Sequence, residues 1–168
     1  MNTSQMMITI GALFLLSLVI LRVTRGFLNT DEVLLDNKLG VIAVSVASSL
    51  LEEVSDKAFD ENTTDSVLVS LPSGLSTTLG PDGEVYPHFD DIDDYNGFKK
   101  IDNTIPAARF IDSVSVVYVS SANLNVPSAS KTWNKKITVF VSSPSLLRAD
   151  GKPDTIKMSQ VYSYWYFR

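Results

Sequence analysis

The sequence contains no cysteine. A disulfide framework and a thiolate metal centre are therefore both excluded, although the absence names no cellular compartment. Histidine occurs once, as His88 in VYPHFDD. It has no G-x-S-x-G elbow to serve, so no Ser-His-Asp triad is assembled and His88 reads as an exposed or loop-packing residue. No Walker loop and no G-x-G-x-x-G are present, and SLPSGLSTTLGPDG lacks the lysine a phosphate loop needs. Charge is scarce at the start: within residues 1–30 only Arg22 and Arg25 carry any. No basic groove of the kind that follows a nucleic-acid backbone is visible either. These absences point away from catalysis and from nucleic acid, toward a structural or interaction role without cofactor.

What stands in place of charge is MMITIGALFLLSLVIL, sixteen uncharged residues from Met6 to Leu21. This run inflates the hydrophobic content of 45%, and the remainder reads as one polar, foldable domain within 168 residues. Three readings compete. A secretory signal wants a basic n-region and a small-residue cleavage site, and neither flanks this run. A membrane anchor wants about 20 apolar residues for a core of about 30 Å, and the charge-free window Met1–Leu21 comes close. Thr9 and Ser17 are tolerable in lipid if they bond back to helix carbonyls. Arg22 and Arg25, however, sit on the side of an exported domain that the positive-inside rule disfavours. The third reading is a helix made to pack against other copies of itself.

Downstream, VLLDNKLGVIAVSVASSLLEEVSDKAF runs from Val33 to Phe59 without proline. Leu35, Leu39, Ile42, Val46, Leu50 and Val54 follow at three- and four-residue steps, which is one helix face. Ala43, Ala47 and Leu51 widen that stripe. An uncharged helix thus feeds an amphipathic one, and together they predict a rod of about 80 Å at about 1.5 Å per residue. Gly26, followed by Asn29-Thr30-Asp31-Glu32, is the candidate helix kink. Two readings stay open there: local unwinding with Asn29 or Thr30 capping a restarted helix, or one merely curved helix.

The sequence predicts an α+β fold. Its long N-terminal α-helix, apolar then amphipathic, packs on a C-terminal antiparallel β-sheet. Residues 1–26 form the transmembrane or filament-core helix and 27–60 the amphipathic continuation into the domain. Residues 61–107 form an acidic loop region and 108–168 the sheet. The strand signals are period-two runs: ARFIDSVSVVYVSS, KKITVFVSS and IKMSQVYSYWYF. In the last, Val161, Ser163, Trp165 and Phe167 share one side and Tyr162, Tyr164 and Tyr166 the other. One aromatic row is expected in the core and one at a subunit contact, rather than as a sugar platform. Charge is segregated along the chain. Residues 31–98 hold fifteen acidic side chains against Lys38 and Lys57, whereas residues 99–168 hold ten basic against four acidic. Such asymmetry can orient neighbours head to tail, or can vanish once the chain folds.

The densest acidic stretch is FDDIDDYNGF, Phe89 to Phe98. Asp90, Asp91, Asp93 and Asp94 offer hard oxygen ligands, for which calcium is the natural candidate. The spacing is not that of an EF-hand, and aspartates accepting backbone N–H bonds in a turn are the competing reading. Asn62-Thr63-Thr64 is a glycosylation-type sequon at Asn62 in a surface turn.

The uncharged start, its direct continuation into an amphipathic helix and the terminal sheet together resemble the type IV pilin and pseudopilin superfamily. FDDIDDYNGF and KKITVFVSSP, Lys135 to Pro144, are similar to stretches of minor pilin-like proteins of the mannose-sensitive haemagglutinin pilus type. Family members carry a short basic leader ending in glycine, then an apolar residue and, soon after, a glutamate. Taken from Met1 as first residue, this chain has no leader, Gln5 at the glutamate position and Arg22 near a customary proline. Glutamine keeps the hydrogen bonding of glutamate and forfeits its charge pair. The resemblance implies a structural subunit of a helical homo-polymer, inserted in the inner membrane before assembly and handled by pilus or secretion machinery. The assembly surface it implies comprises Met1, Gln5, Gly11, Ala12, Leu13, Phe14, Leu16, Ser17, Ile20 and Leu21, with the small residues allowing close approach. A minor pseudopilin and, from another class, a membrane-tethered periplasmic binding domain are the alternatives.

Overall fold

The computed structural model describes residues 2–64, 68–148 and 151–166. The chain divides into two compact units, Met1–Lys38 and Leu39–Arg168. One α-helix, α1, runs from Thr3 to Ser55. It passes through Gly26 without interruption, and Thr30 donates its hydroxyl back to the Gly26 carbonyl at 2.9 Å. Of the two readings at Gly26, the unbroken helix is the one formed; Thr30 caps nothing, because a helical i−4 carbonyl lies within reach of its hydroxyl.

In the first unit every described side chain except half-buried Asp36 is exposed. In the second unit the last turns of α1 bury Leu39, Ala43, Ala47, Leu50, Leu51 and Val54. The buried face is thus rotated slightly from the expected row. Ala43 and Ala47 are fully buried, Ile42 and Val46 only partly, and Leu35 is 60% exposed. Ala43 and Ala47 lie at the centre of the buried face, with Leu39, Leu50, Leu51 and Val54 around them.

Opposite this face lies an antiparallel sheet of strands β1 (Lys99–Asp102), β2 (Phe110–Ser120), β4 (Asn134–Leu147) and β5 (Pro153–Ser163), in that spatial order. A short β3 (Asn123–Pro127) pairs with the end of β2. Alternation behaves as the patterning predicts. Phe110, Val114, Val116 and Tyr118 of β2 face the core, as do Ile137, Val139 and Val141 of β4. β1 lies within the region expected as loop, and β3 within an expected connection. The last run leaves the ladder at Ser163 and coils into a 3₁₀ turn, Tyr164–Tyr166. Tyr162 and Tyr164 are buried while Trp165 is 55% exposed, so the tyrosine row faces inward; Phe167 lies outside the described residues. Tyr164 stacks on Trp133 with centroids 4.9 Å apart and donates its backbone N–H to the Trp133 carbonyl.

Between α1 and β1, residues 72–98 are tied down as an ordered stretch with 3₁₀ turns at Pro72–Gly74 and Asp93–Tyr95. Gly97 takes a φ of +81°, a conformation that a Cβ would strain. There its N–H reaches the Val114 carbonyl at 3.0 Å, and Val114 answers with a bond to the Phe98 carbonyl. Asn96 accepts from the Val116 N–H and donates to the Leu79 carbonyl, which fixes the loop on β2.

Candidate assembly surface and buried acidic centre

The candidate assembly residues are placed on one continuous helical surface. Gln5, Gly11, Ala12, Leu13, Phe14, Leu16, Ser17, Ile20 and Leu21 are all exposed; Met1 lies outside the described residues. Leu13 and Phe14 are 64% and 65% exposed, and nothing approaches within 4 Å of where a Cβ on Gly11 would sit. Polar groups inside the run are internally satisfied. Thr9 donates to the Met6 carbonyl at 2.8 Å and Ser17 to the Leu13 carbonyl at 2.9 Å. The helix is long and apolar enough to cross a membrane, and none of its most apolar 18-residue window is buried. The large apolar side chains from Met6 to Leu21 are each 45–77% exposed, a continuous apolar surface of the kind that monomeric soluble proteins rarely leave bare. Among the described residues, those of the buried hydrophobic core run from Leu39 onward.

The acidic stretch does something other than gather four ligands. Asp91, Asp93 and Asp94 are buried and only Asp90 is exposed. Asp94 Oδ2 accepts the Asp90 N–H at 3.1 Å, and Asp91 Oδ1 accepts the Asp94 N–H at 3.0 Å. The two carboxylates thus close a tight turn reciprocally, as short acidic side chains do. The turn docks on the end of α1 through a parallel bridge, with Ala58 N–H on the Asp90 carbonyl and Ile92 N–H on the Ala58 carbonyl. Asp93 is committed to the Lys135 ammonium, which takes it out of the expected calcium set. Among the described residues, the carboxylates that converge within 4.8 Å of one another are Glu84, Asp90 and Asp94.

Lys135 and Asp60, both fully buried, are functional parts of the fold that patterning left unassigned. Lys135 Nζ donates to Asp60 Oδ2 at 2.7 Å, to the Phe59 carbonyl at 2.7 Å and to Asp93 Oδ1. The ammonium also lies 4.5 Å from the Phe59 ring centroid. Asp60 in turn accepts from the Ser76 N–H and hydroxyl and from the Tyr118 hydroxyl at 2.9 Å. One lysine therefore joins the exit of α1, the acidic turn and strand β4. Burial pushes the Asp60 carboxyl up, but the adjoining Lys135 ammonium and the Ser76 bonds outweigh it and hold the group below its usual value. Burial pushes Asp91 up to about 7, with Asp94 adding repulsion. It pushes Asp93 up to about 8 against the attraction of Lys135, with Asp91 and Asp60 adding repulsion. Asp91 and Asp93 each also keep one buried oxygen, Oδ2, without a hydrogen-bond partner. A single ammonium cannot balance three buried carboxylates, so the centre retains a proton near neutrality. The signal for Lys135 was in the sequence: it shares the parity of Ile137, Val139 and Val141.

Asn62 is exposed, as a modified residue must be, but its amide nitrogen already donates to the Gly74 carbonyl at 3.0 Å. His88 is exposed. No protein-family model matches this chain, and neither a curated protein nor a solved structure shows significant similarity to it.

Proposed function

We propose that this chain is a structural, non-enzymatic subunit of an extracellular type IV pilus-like filament, held in the inner membrane before assembly. The observation that carries the reading is the exposed start of α1, charge-free as far as Leu21, joined to a domain whose buried core residues, among those described, all lie from Leu39 onward. Lipid can cover that half before assembly, and equivalent helices of other copies can cover it afterwards. Small residues such as Gly11, Ala12 and Ser17 lie on the surface where neighbouring helices would meet. Heterologous contacts of this kind, repeated without closure, generate a helical fibre. The resemblance to pilins supports the same reading. Negative-stain microscopy of the native protein tests it. Long uniform fibres are expected; isolated particles that need detergent to stay dispersed would favour a membrane-tethered domain.

A further inference from the structure

Strand β2 carries an acidic residue in its core-facing register. Asp112 has the parity of Phe110, Val114 and Val116, and it is 97% buried, being only 3% exposed. Its Oδ1 has no hydrogen-bond partner. Leaving a buried carboxylate oxygen unpaired is costly. The residue cross-paired with it on β1 is Lys100, the obvious neutralising partner. Yet the Lys100 ammonium lies over the Tyr86 ring, 5.4 Å from its centroid, and makes no ion pair with Asp112.

Asp112 lines a cavity of about 210 Å³ together with Ser45, Ser49, Glu53, Lys100 and Asp102. Three of these come from α1 at steps of four, which places Ser45, Ser49 and Glu53 in one row along the helix. The cavity therefore offers two hydroxyls and three carboxylates beside the Lys100 ammonium. Glu53 also accepts the Tyr95 hydroxyl at 2.8 Å and Asp102 accepts the Thr104 N–H and hydroxyl, whereas Asp112 Oδ1 has no partner. The three carboxylates do not form a group close enough to share a metal ion, whereas Glu84, Asp90 and Asp94 do. Dispersed acceptors around a volume larger than one ion suit a planar cation with several N–H donors.

We propose that this cavity is a binding site for a guanidinium group, with Asp112 as its principal anchor and Glu53 and Asp102 at its sides. Two sources present that chemistry: a small guanidinium compound, or an arginine side chain of a second copy of this chain. Arg22 and Arg25 are exposed in the otherwise charge-free start. The site itself requires no filament, so it can be read on the dispersed protein.

The cavity also makes binding pH-dependent. Burial, with Asp102 adding and Lys100 opposing, pushes the Asp112 carboxyl up to about 6. The charged groups facing it are Glu53 from α1 and Lys100 and Asp102 from β1, while β4 places Val141 opposite. Affinity should fall as pH drops through about 6 and Asp112 takes up a proton.

The test is a titration of the full chain in detergent with ethylguanidinium at pH 7.5, following by NMR the backbone amide signals of β2, which wild type and variant share. A saturable shift is expected, with at least tenfold weaker binding in folded Asp112→Asn. No saturable shift, equal binding by Asp112→Asn, or a shift produced by calcium chloride and not by ethylguanidinium would each overturn the proposal. A second arm separates the sources. If Arg22→Gln/Arg25→Gln weakens self-association as much as Asp112→Asn does, the guanidinium comes from a second copy. If ethylguanidinium binds and self-association is unchanged in both variants, it is a small molecule.

Discussion

At the scale of single residues, the molecule is organised by Lys135. A buried ammonium shared by Asp60 and Asp93 is weak evidence of net stabilisation, because desolvating the charges offsets their attraction. Removing one partner is different, since it strands the others. Lys135→Met should lower domain stability by about 3–5 kcal/mol, read from urea unfolding followed by Trp133 fluorescence. The buried carboxylates also set a pH dependence. Asp91 and Asp93 keep their protons up to about 7 and about 8 in the folded chain, against an ordinary value of 3.8. The unfolded chain releases those protons first, so stability should decline as pH rises from about 5 to 8. Asp60 acts in the opposite sense: its lowered value contributes stability that is lost in acid. Asp91→Asn should flatten the decline measured in urea midpoints. A wild-type midpoint that rises from pH 5 to 8 would refute the assignment of a retained proton. Lys135 and Asp112 were both legible as core-facing by strand parity. Their surroundings were not, because Lys135 meets Asp60 across 75 residues and Asp93 across 42.

At the scale of elements, periodicity carried most of the fold. The 3.6-residue repeat located the buried part of α1, and the two-residue repeats located β2, β4 and most of β5. Its failures have physical causes. β1 is four residues long and largely polar, and β3 is five residues long and exposed throughout, so pairing with β2 makes them strands, not burial of an apolar face. The centre of the helix face was misjudged because hydrophobicity favours Ile42 and Val46, while close packing favours Ala43 and Ala47. That contact can be tested by filling it. Ala47→Leu should destabilise the domain by about 1–3 kcal/mol through overpacking, whereas leucine at exposed Val44 should change stability little. Thermal unfolding of the two variants would show the contrast. The acidic stretch illustrates the same limit: its composition announced a cluster, but the reciprocal Asp91–Asp94 bonds that make it a turn depend on the fold around them.

At the scale of the whole molecule, two units divide two tasks. The second closes its own core around residues from Leu39 to Tyr164. The first leaves its apolar surface for something else to cover. Leu16→Asp should therefore spare the domain's unfolding midpoint while making assembly unfavourable, since an aspartate at the centre of an apolar helix costs about 2.5–3.5 kcal/mol in lipid. The most direct measurement is negative-stain microscopy of the native full-length chain beside a variant lacking residues 1–26. Uniform fibres are expected from the full chain and folded monomers from the shortened one. Monomers from both, in every native preparation, would contradict the proposed assembly.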